Sequence, residues 1–393
     1  MSATVGEFRP PARLLLGPGP SDVHPRVLRA MSAPLLGHLD PAFIAMMEEV
    51  KALLRMVFGT ANDLTIPISG TGSAGMEACL VNLLEPGDAF VVGVNGVFGT
   101  RMAEVAERAG ARVVRVEAPW GQIIRAEQIE AALENCERPK LVALVHAETS
   151  TGAWQPLADA ARLARAHGAL FLVDCVTSLG GVPVDVDATG IDAAYSGTQK
   201  CLSCPPGLSP VTFGPRAVEV LTRRKTRVQS WYLDLSLLAK YWGEERVYHH
   251  TAPISMNYAL REALRLVDEE GLPARYKRHA LHHRALAAGL GAMGLSLASQ
   301  EGHRLPMLNA VAVPDGVAED KVRICLLERH GIEIGAGLGP MKGKVWRIGL
   351  MGESSRRASV LLVLSALEQA LQAQGRAIAA GAGLAAAAGV YES

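Results

Sequence analysis

The sequence predicts an α/β protein: a large unit on a mostly parallel, seven-stranded sheet, followed by a smaller α+β unit at the C-terminus. Seven short apolar runs recur, near Leu64–Ile68, Ala89–Val94, Val113–Val116, Leu141–Val145, Leu170–Val173, Ala193–Tyr195 and Pro210–Phe213. Helical patterns separate most of them, around Thr100–Ala109, Ala126–Glu134 and Leu157–His167. Strands alternating with helices imply parallel pairing with both sheet faces covered. Beyond residue 215 this rhythm breaks, which marks a change of architecture. The expected units are an arm over 1–21, a large domain over 22–270 and a small domain over 271–393.

The 393 residues suffice for two or three domain-sized units, and 49% hydrophobic with 20% charged residues is ordinary for a globular enzyme. Lys plus Arg and Asp plus Glu both total 39, so no global field recruits nucleic acid or an anionic membrane. Small molecules are the expected partners. The six cysteines follow no framework spacing, which suggests a reducing compartment. Cys201-Leu-Ser-Cys204 lacks a second pair and reads as a tight loop. Leu14–Leu16 is too short for a signal segment, no apolar run reaches 18 to 20 residues, and Tyr391-Glu392-Ser393 is no peroxisomal signal, so a cytoplasmic protein is expected.

In chain order, Pro and Gly punctuate the first 21 residues, which read as an extended arm packed on a neighbouring surface, a second subunit being one option. A helix is expected over Pro41–Phe58. After the Leu64 strand, Ser69-Gly-Thr-Gly-Ser-Ala-Gly75 leads into a helix with Met76, Leu80, Leu83 and Leu84 on one face, stopped by Pro86-Gly87. A strand, a small-residue turn and a helix N-terminus present free N–H groups to a phosphate. The pattern is neither a Walker A motif nor a full dinucleotide fingerprint, and a plain chain reversal has the same form.

Leu170-Phe-Leu-Val-Asp174 delivers a carboxylate at a strand's end, and Ile191-Asp-Ala-Ala-Tyr-Ser-Gly-Thr-Gln-Lys200 delivers a lysine from the next strand. Ligands of open α/β sheets collect at that edge. The lysine can bond covalently to the aldehyde of pyridoxal phosphate (PLP), and the acid can keep the pyridine nitrogen protonated. At about 4 Å and an effective dielectric near 20, that charge pair is worth roughly 4 kcal/mol, or ~3 pKa units. Alone, Asp174 also reads as a turn residue and Lys200 as a surface lysine; their coincidence carries the weight. The same edge receives Asn95-Gly-Val-Phe98 and His146-Ala-Glu-Thr-Ser150, where Phe98 is a packing aromatic or a ring-stacking one.

Residues 223–251 are rich in aromatic and polar groups and end in Tyr248-His-His-Thr251, an interface or rim; adjacent histidines share no helix face, so no metal is expected. Helices follow over Asn257–Glu270 and Arg275–Met293, then strands near Ala310–Val313 and Val345–Leu350 around a helix over Glu319–His330. Gly335–Pro340 reads as a flexible loop and Ala377–Gly389 as a weak terminal helix. Arg347 within an apolar strand needs a partner, either an internal carboxylate or that of a substrate.

Together these residues resemble the class V, fold type I PLP-dependent aminotransferases of the alanine:glyoxylate and serine:glyoxylate group. The motifs run from Leu14-Leu-Leu-Gly-Pro-Gly-Pro-Ser21 through Leu84-Glu-Pro-Gly-Asp88, Glu148-Thr-Ser-Thr-Gly152, Ser196-Gly-Thr-Gln-Lys200 and Tyr248-His-His-Thr251 to Gly337-Leu-Gly-Pro340 and Arg347-Ile-Gly349. The resemblance implies that Lys200 carries the cofactor and shuttles the proton, while Asp174 pairs with the ring nitrogen. It implies that Thr71, Gly72, Ser73 and Gln199 hold the phosphate, that Tyr248 and Thr251 complete that cup from the partner of an obligatory homodimer, and that Ser150 sits near the cofactor hydroxyl. Arg347 would bind the substrate carboxylate in a ping-pong reaction that aminates glyoxylate to glycine.

Two departures stand out. Phe98 occupies the ring-stacking position where animal enzymes of the group carry Trp. The chain is also similar to bacterial ureidoglycine:glyoxylate aminotransferases, through Gly72-Ser-Ala-Gly-Met-Glu77, Thr198-Gln-Lys-Cys-Leu-Ser203 and Val390-Tyr391-Glu392, but that branch tends to carry Gln and Asn where His38 and Tyr248 stand. Losing both amides removes groups suited to a ureido moiety, so alanine or serine is the expected donor and His38 an expected substrate contact. Three rivals fit less well. A cysteine desulfurase needs a mobile cysteine, whereas Cys325 falls in a helical run; a non-catalytic sensor needs no such lysine; a nicotinamide oxidoreductase lacks its fingerprint.

Overall fold

The computed structural model describes residues 5–393, so residues 1–4 of the expected arm lie outside the described residues. The strands are β1 (Leu14–Leu15), β2 (Leu64–Ser69), β3 (Ala89–Val94), β4 (Arg112–Glu117), β5 (Pro139–Val145), β6 (Ala147–Glu148), β7 (Ala153–Trp154), β8 (Leu170–Asp174), β9 (Ala193–Tyr195), β10 (Leu208–Phe213), β11 (Leu308–Ala312), β12 (Ile332–Glu333), β13 (Gly335–Ala336) and β14 (Val345–Gly349). Seven form the large sheet in the order β2-β10-β9-β8-β5-β3-β4. Only β10 runs antiparallel to its neighbours. The C-terminal ends of β2, β3, β5, β8 and β9 therefore share one rim.

Local chemistry explains the helices that frame this sheet. Pro41–Phe58 starts where Asp40 accepts the Ala42 N–H and proline occupies the first turn, and it stops at left-handed Gly59. The helix expected from Thr100 begins at Val97, so Phe98 sits in its first turn. The segment after residue 215 is more regular than its composition suggests. Pro215–Thr222 and Leu235–Trp242 are helices, the second capped by Asp234 and burying Leu235, Leu238, Tyr241 and Trp242.

Two apolar cores divide the chain. One runs from Val27 to Val267 around the large sheet, and the other joins Leu16 to residues between Ala285 and Ala387. The small domain holds the antiparallel sheet β11-β14-β13 with helices Glu319–His330 and Arg357–Gln372. The Gly335–Pro340 stretch is thus not a flexible loop. Gly335 and Ala336 pair with Arg347 and Trp346, and Gly339–Met341 forms a 3-10 turn.

The terminal helix spans Ala382–Glu392 and is firmly docked rather than weak. A Cβ on Gly289 would lie 2.8 Å from the Gly383 carbonyl, so small residues let the two backbones meet. The Tyr391 hydroxyl pairs with His282 Nδ1 at 2.8 Å.

From Leu14 onward the arm docks within its own chain. β1 pairs in parallel with β12, and Leu16 is fully buried in the small core. The Gly349 N–H donates to the Leu16 carbonyl at 2.8 Å, and a side chain on Gly349 would collide with the Gly17 carbonyl. Ser21 then reaches the large domain, its N–H on the Gln199 carbonyl at 2.9 Å and its hydroxyl on the Lys200 carbonyl at 2.8 Å. Leu16→Ala should lower unfolding free energy by about 2–5 kcal/mol, read from urea denaturation. A loss below about 1 kcal/mol would mean that the arm's docking contributes little.

Candidate active site

Asp174 ends β8 directly opposite Tyr195 of β9, and in parallel register the two side chains share a face. The Tyr195 hydroxyl donates to Asp174 Oδ2 at 2.7 Å, and the Val176 N–H to Oδ1 at 2.9 Å. Asp174 is thus both a turn residue and a buried, oriented acid. Burial pushes its carboxyl up to about 6, against the pull of Tyr195, Val176, Lys200 and Arg101.

Lys200 follows β9 through Ser196–Gln199 and is buried, not solvated. Its ammonium donates to the Pro18 carbonyl of the arm, and a Cβ on Gly19 would sit 2.5 Å from Nζ. At φ +106° that position also favours glycine on backbone grounds. Burial first, then the Arg347 cation, pushes the amine down to about 8, while Cys201 and Asp174 pull it up. Lys200 and Asp174 therefore lie within each other's field. Neither forms an ion pair among the described residues.

The other rim residues close around them. Gly72 starts the Gly72–Leu83 helix against Val176 and Gly197, since a Cβ there would meet Val176 Cγ2 at 3.4 Å and Gly197 Cα at 3.5 Å. No side chain caps that helix, Thr71 and Ser73 are exposed beside it, and Gln199 Oε1 is buried without a partner. Half-buried Phe98 packs against the large core with the Arg101 guanidinium 5.1 Å from its ring centroid, and Arg101 also reaches Ser73 Oγ at 3.4 Å. Fully buried Ser150 donates its hydroxyl to Glu148 at 2.5 Å. Arg347 crosses from the small domain, donating to the Ala336 carbonyl at 2.7 Å and the Thr149 carbonyl at 3.2 Å. No carboxylate pairs with it among the described residues, so the internal salt bridge is absent.

Three expected residues lie apart. Tyr248 is 60% exposed, its ring 5.2 Å from that of His38, and Thr251 is exposed. None of the three hydrogen-bonds Lys200, Asp174 or the Thr71 turn among the described residues. The patch does touch the end of β2, through His250 Nε2 and Ser69 Oγ at 2.6 Å. Trp231 stacks on His249 at 4.4 Å, which gives the His pair aromatic and hydroxyl partners. Sequence pattern gives Tyr195, Arg101 and Glu148 no individual role. Tyr195 is marked only by its strand-end position, opposite Asp174 in parallel pairing, and Glu148 only by opening the Glu148–Gly152 motif.

The family model for "Aminotransferase class-V" matches residues 14–367. The chain belongs to that family. It is 44% identical to the (S)-ureidoglycine–glyoxylate transaminase of Bacillus subtilis over 98% of this chain and 97% of the relative. It is 44% identical to the alanine–glyoxylate aminotransferase of Callithrix jacchus over 92% and 88%. Among solved structures, the alanine–glyoxylate aminotransferase of Nostoc sp. superposes with a TM-score of 0.92 at 54% identity, covering 94% of this chain and 97% of that one. The Bacillus subtilis ureidoglycine–glyoxylate aminotransferase does so with 0.97 at 46%, covering 99% and 100%.

A class-V aminotransferase uses PLP, and the rim fits it. The uncapped helix start, with its free N–H groups, suits a phosphate, and the unpaired carboxylate suits a cationic ring nitrogen. A contact worth ~3 pKa units would outweigh the burial that raises Asp174, so the acid would be ionised beside such a cation. At pH 7 an amine of pKa about 8 is neutral in roughly a tenth of molecules, a few hundred times more than an ordinary lysine. Covalent uptake of PLP by the cofactor-free protein should therefore accelerate as pH rises through about 8, followed by stopped-flow absorbance. Arg347→Ala removes a cation that lowers Lys200, so the midpoint should move to higher pH; an unchanged midpoint would separate the two residues electrostatically.

Proposed function

We propose that this aminotransferase passes the amino group of a small amino acid, alanine by preference, to glyoxylate, releasing glycine and a 2-oxo acid. One observation carries the reading: a buried lysine lowered to about 8 shares the rim with a buried, unpaired aspartate and a guanidinium that has no carboxylate. Glyoxylate is named for the Bacillus, Callithrix and Nostoc relatives alike. The donor rests on His38 and Tyr248, whose imidazole and phenol stand where a ureido group would favour amides.

In this proposal Lys200 holds the cofactor and, once released, carries the proton to and from the substrate Cα. When bound, PLP supplies an electron-withdrawing ring that stores the amino group between the half-reactions. Asp174 keeps that ring cationic, and Phe98 stacks on it. Thr71, Gly72, Ser73 and Gln199 receive the phosphate, and Ser150 faces the ring hydroxyl. Arg347 grips the substrate carboxylate and so orients Cα. Lys200→Ala should fold normally and lose transamination. Arg347→Ala should lose about 3 kcal/mol, roughly a hundredfold in kcat/KM for glyoxylate. An unchanged KM for glyoxylate would remove Arg347 from the substrate site.

A second donor has specific support, since the match to the Bacillus ureidoglycine enzyme covers 98% of this chain against 92% for the Callithrix alanine enzyme. Steady-state kinetics with alanine, serine and ureidoglycine against glyoxylate decides between them.

The proposal includes a homodimer in which Tyr248 and Thr251 complete the partner's phosphate cup. Exposed Leu35, Leu36, Leu39, Trp231, Val247 and Tyr248 support such a contact face. Mixing Lys200→Ala with Tyr248→Ala subunits should then restore activity above either parent, because one site per heterodimer keeps both wild-type residues. Activity no higher than the parents' sum would argue for self-contained subunits. The cysteines among the described residues are free, which supports a cytoplasmic location, and no described helix is long and apolar enough to cross a membrane.

A further inference from the structure

Glu148 is an acid to which no role has been assigned above. It is fully buried at the end of β6, and no cation lies within ion-pair distance of it among the described residues. Its carboxylate instead gathers donors from two loops. Oε1 accepts the Ser150 hydroxyl at 2.5 Å and the Ser150 N–H at 3.1 Å, while Oε2 accepts the Phe98 N–H at 3.2 Å. Ser150 Oγ accepts the Val97 N–H at 3.0 Å, so the loop after β5 and the loop after β3 are tied twice. The fit leaves no room for a side chain at Gly96, where a Cβ would collide with Glu148 Cδ and lie 2.5 Å from Ser150 Oγ. Between Glu148 and Ser150, the Thr149 carbonyl accepts from Arg347 Nη1 at 3.2 Å.

We propose that Glu148 is a positioning residue, whose carboxylate locks Phe98 and Ser150 together and, through the Thr149 carbonyl, fixes where Arg347 points. One buried side chain then sets both the loop that faces the cofactor ring and the cation that receives the substrate carboxylate. This rests on the aminotransferase reading of the rim. The physical basis is acceptor capacity: a buried carboxylate accepts from all three donors, whereas an amide of the same shape turns an N–H₂ toward at least one of them. Burial, with the Asp174 charge beside it, pushes the Glu148 carboxyl up to about 7 while the Ser150 and Phe98 bonds pull it down, and Arg347 feels its charge without pairing with it.

The test uses full-length wild type, Glu148→Gln and Gly96→Ala. Gly96 has φ 177°, which alanine adopts freely, so its substitution acts by pushing the carboxylate aside with every donor and acceptor still present. The PLP dissociation constant, by equilibrium dialysis against the cofactor-free proteins, should rise about tenfold or more in both variants. The KM for glyoxylate in the reloaded enzymes should rise about tenfold, with kcat falling less. A lowered melting temperature with wild-type PLP affinity and wild-type KM would make Glu148 merely structural and overturn the proposal. Failure of both variants to fold would overturn it in the same way, and if only Glu148→Gln fails, Gly96→Ala decides. A wild-type protein that takes up no PLP would instead sink the aminotransferase reading, so the two failures are distinct.

Discussion

Lys200 and Asp174 are each buried beside the other without pairing, and that arrangement opposes folding. Burial raises the acid to about 6 and lowers the amine to about 8, which is the signature of charges held in a site of low polarity with too few partners. A direct ion pair would relieve both. The sheet prevents it by delivering the two from adjacent strands in different ways: Asp174 sits at the last residue of β8 and is held by Tyr195 and Val176, whereas Lys200 arrives five residues beyond β9 and rests on the arm. A ligand that supplied the missing partners would therefore relieve charges that the rigid sheet keeps apart. Arg347 likewise lacks an ion-pair partner, its hydrogen-bond acceptors being carbonyls rather than carboxylates.

That placement depends on the small domain and the arm as much as on the large sheet. Arg347 lies on β14, at the centre of the small sheet, and reaches across to Thr149. β1 and Leu16 bind the arm to the same small domain, and the next few residues lie along Lys200. A third small apolar cluster, including Ala147, Cys201, Met307 and Met351, fills the space between the two units. The lysine loop, the Glu148 loop and the small-domain strands thus share one packed contact. A shift of the small domain would move the guanidinium and the arm together.

Much of this was legible in the chain, and the reason is geometric. The inner parallel strands of the sheet, buried on both faces, are apolar throughout, so their ends are sharply marked; Asp174 falls where one run stops, and Lys200 five residues past the end of the next. The Pro41–Phe58 and Glu319–His330 helices carry their own stop signals in Gly59 and Gly331. Other features depended on partners distant in sequence. Gly335–Ala336 reads as loop because a two-residue edge strand has no period, and only its pairing with β14 orders it. The arm's apolar residues look for a surface, but nothing local identifies β12 as that surface. The Ala382–Glu392 helix has weak intrinsic grounds for stability until Gly383 meets Gly289. Tyr195 and Glu148 escaped because their roles come from cross-strand register and a hydrogen-bond network, neither of which residue type alone discloses.

The chemistry of the rim and the choice of donor are governed by different parts of the molecule. In the proposed roles Lys200 serves an amine to exchange and Arg347 a carboxylate to hold, features common to every amino acid, while Asp174 faces the cofactor ring. Nothing in their arrangement reads a side chain. His38 and Tyr248 lie on a separate patch of aromatic rings and histidines that meets the rim at Ser69, just before the phosphate turn. An imidazole and a phenol each offer one donor and one acceptor at fixed angles, whereas a ureido group presents an amide's paired donors and carbonyl. Discrimination against a polar group costs most when its hydrogen bonds go unmet, so in the proposed dimer that patch, and not the lysine, would be where alanine and ureidoglycine part. The relatives are named for different donors and the same acceptor, as a shared reactive centre with a separate donor-reading surface would produce.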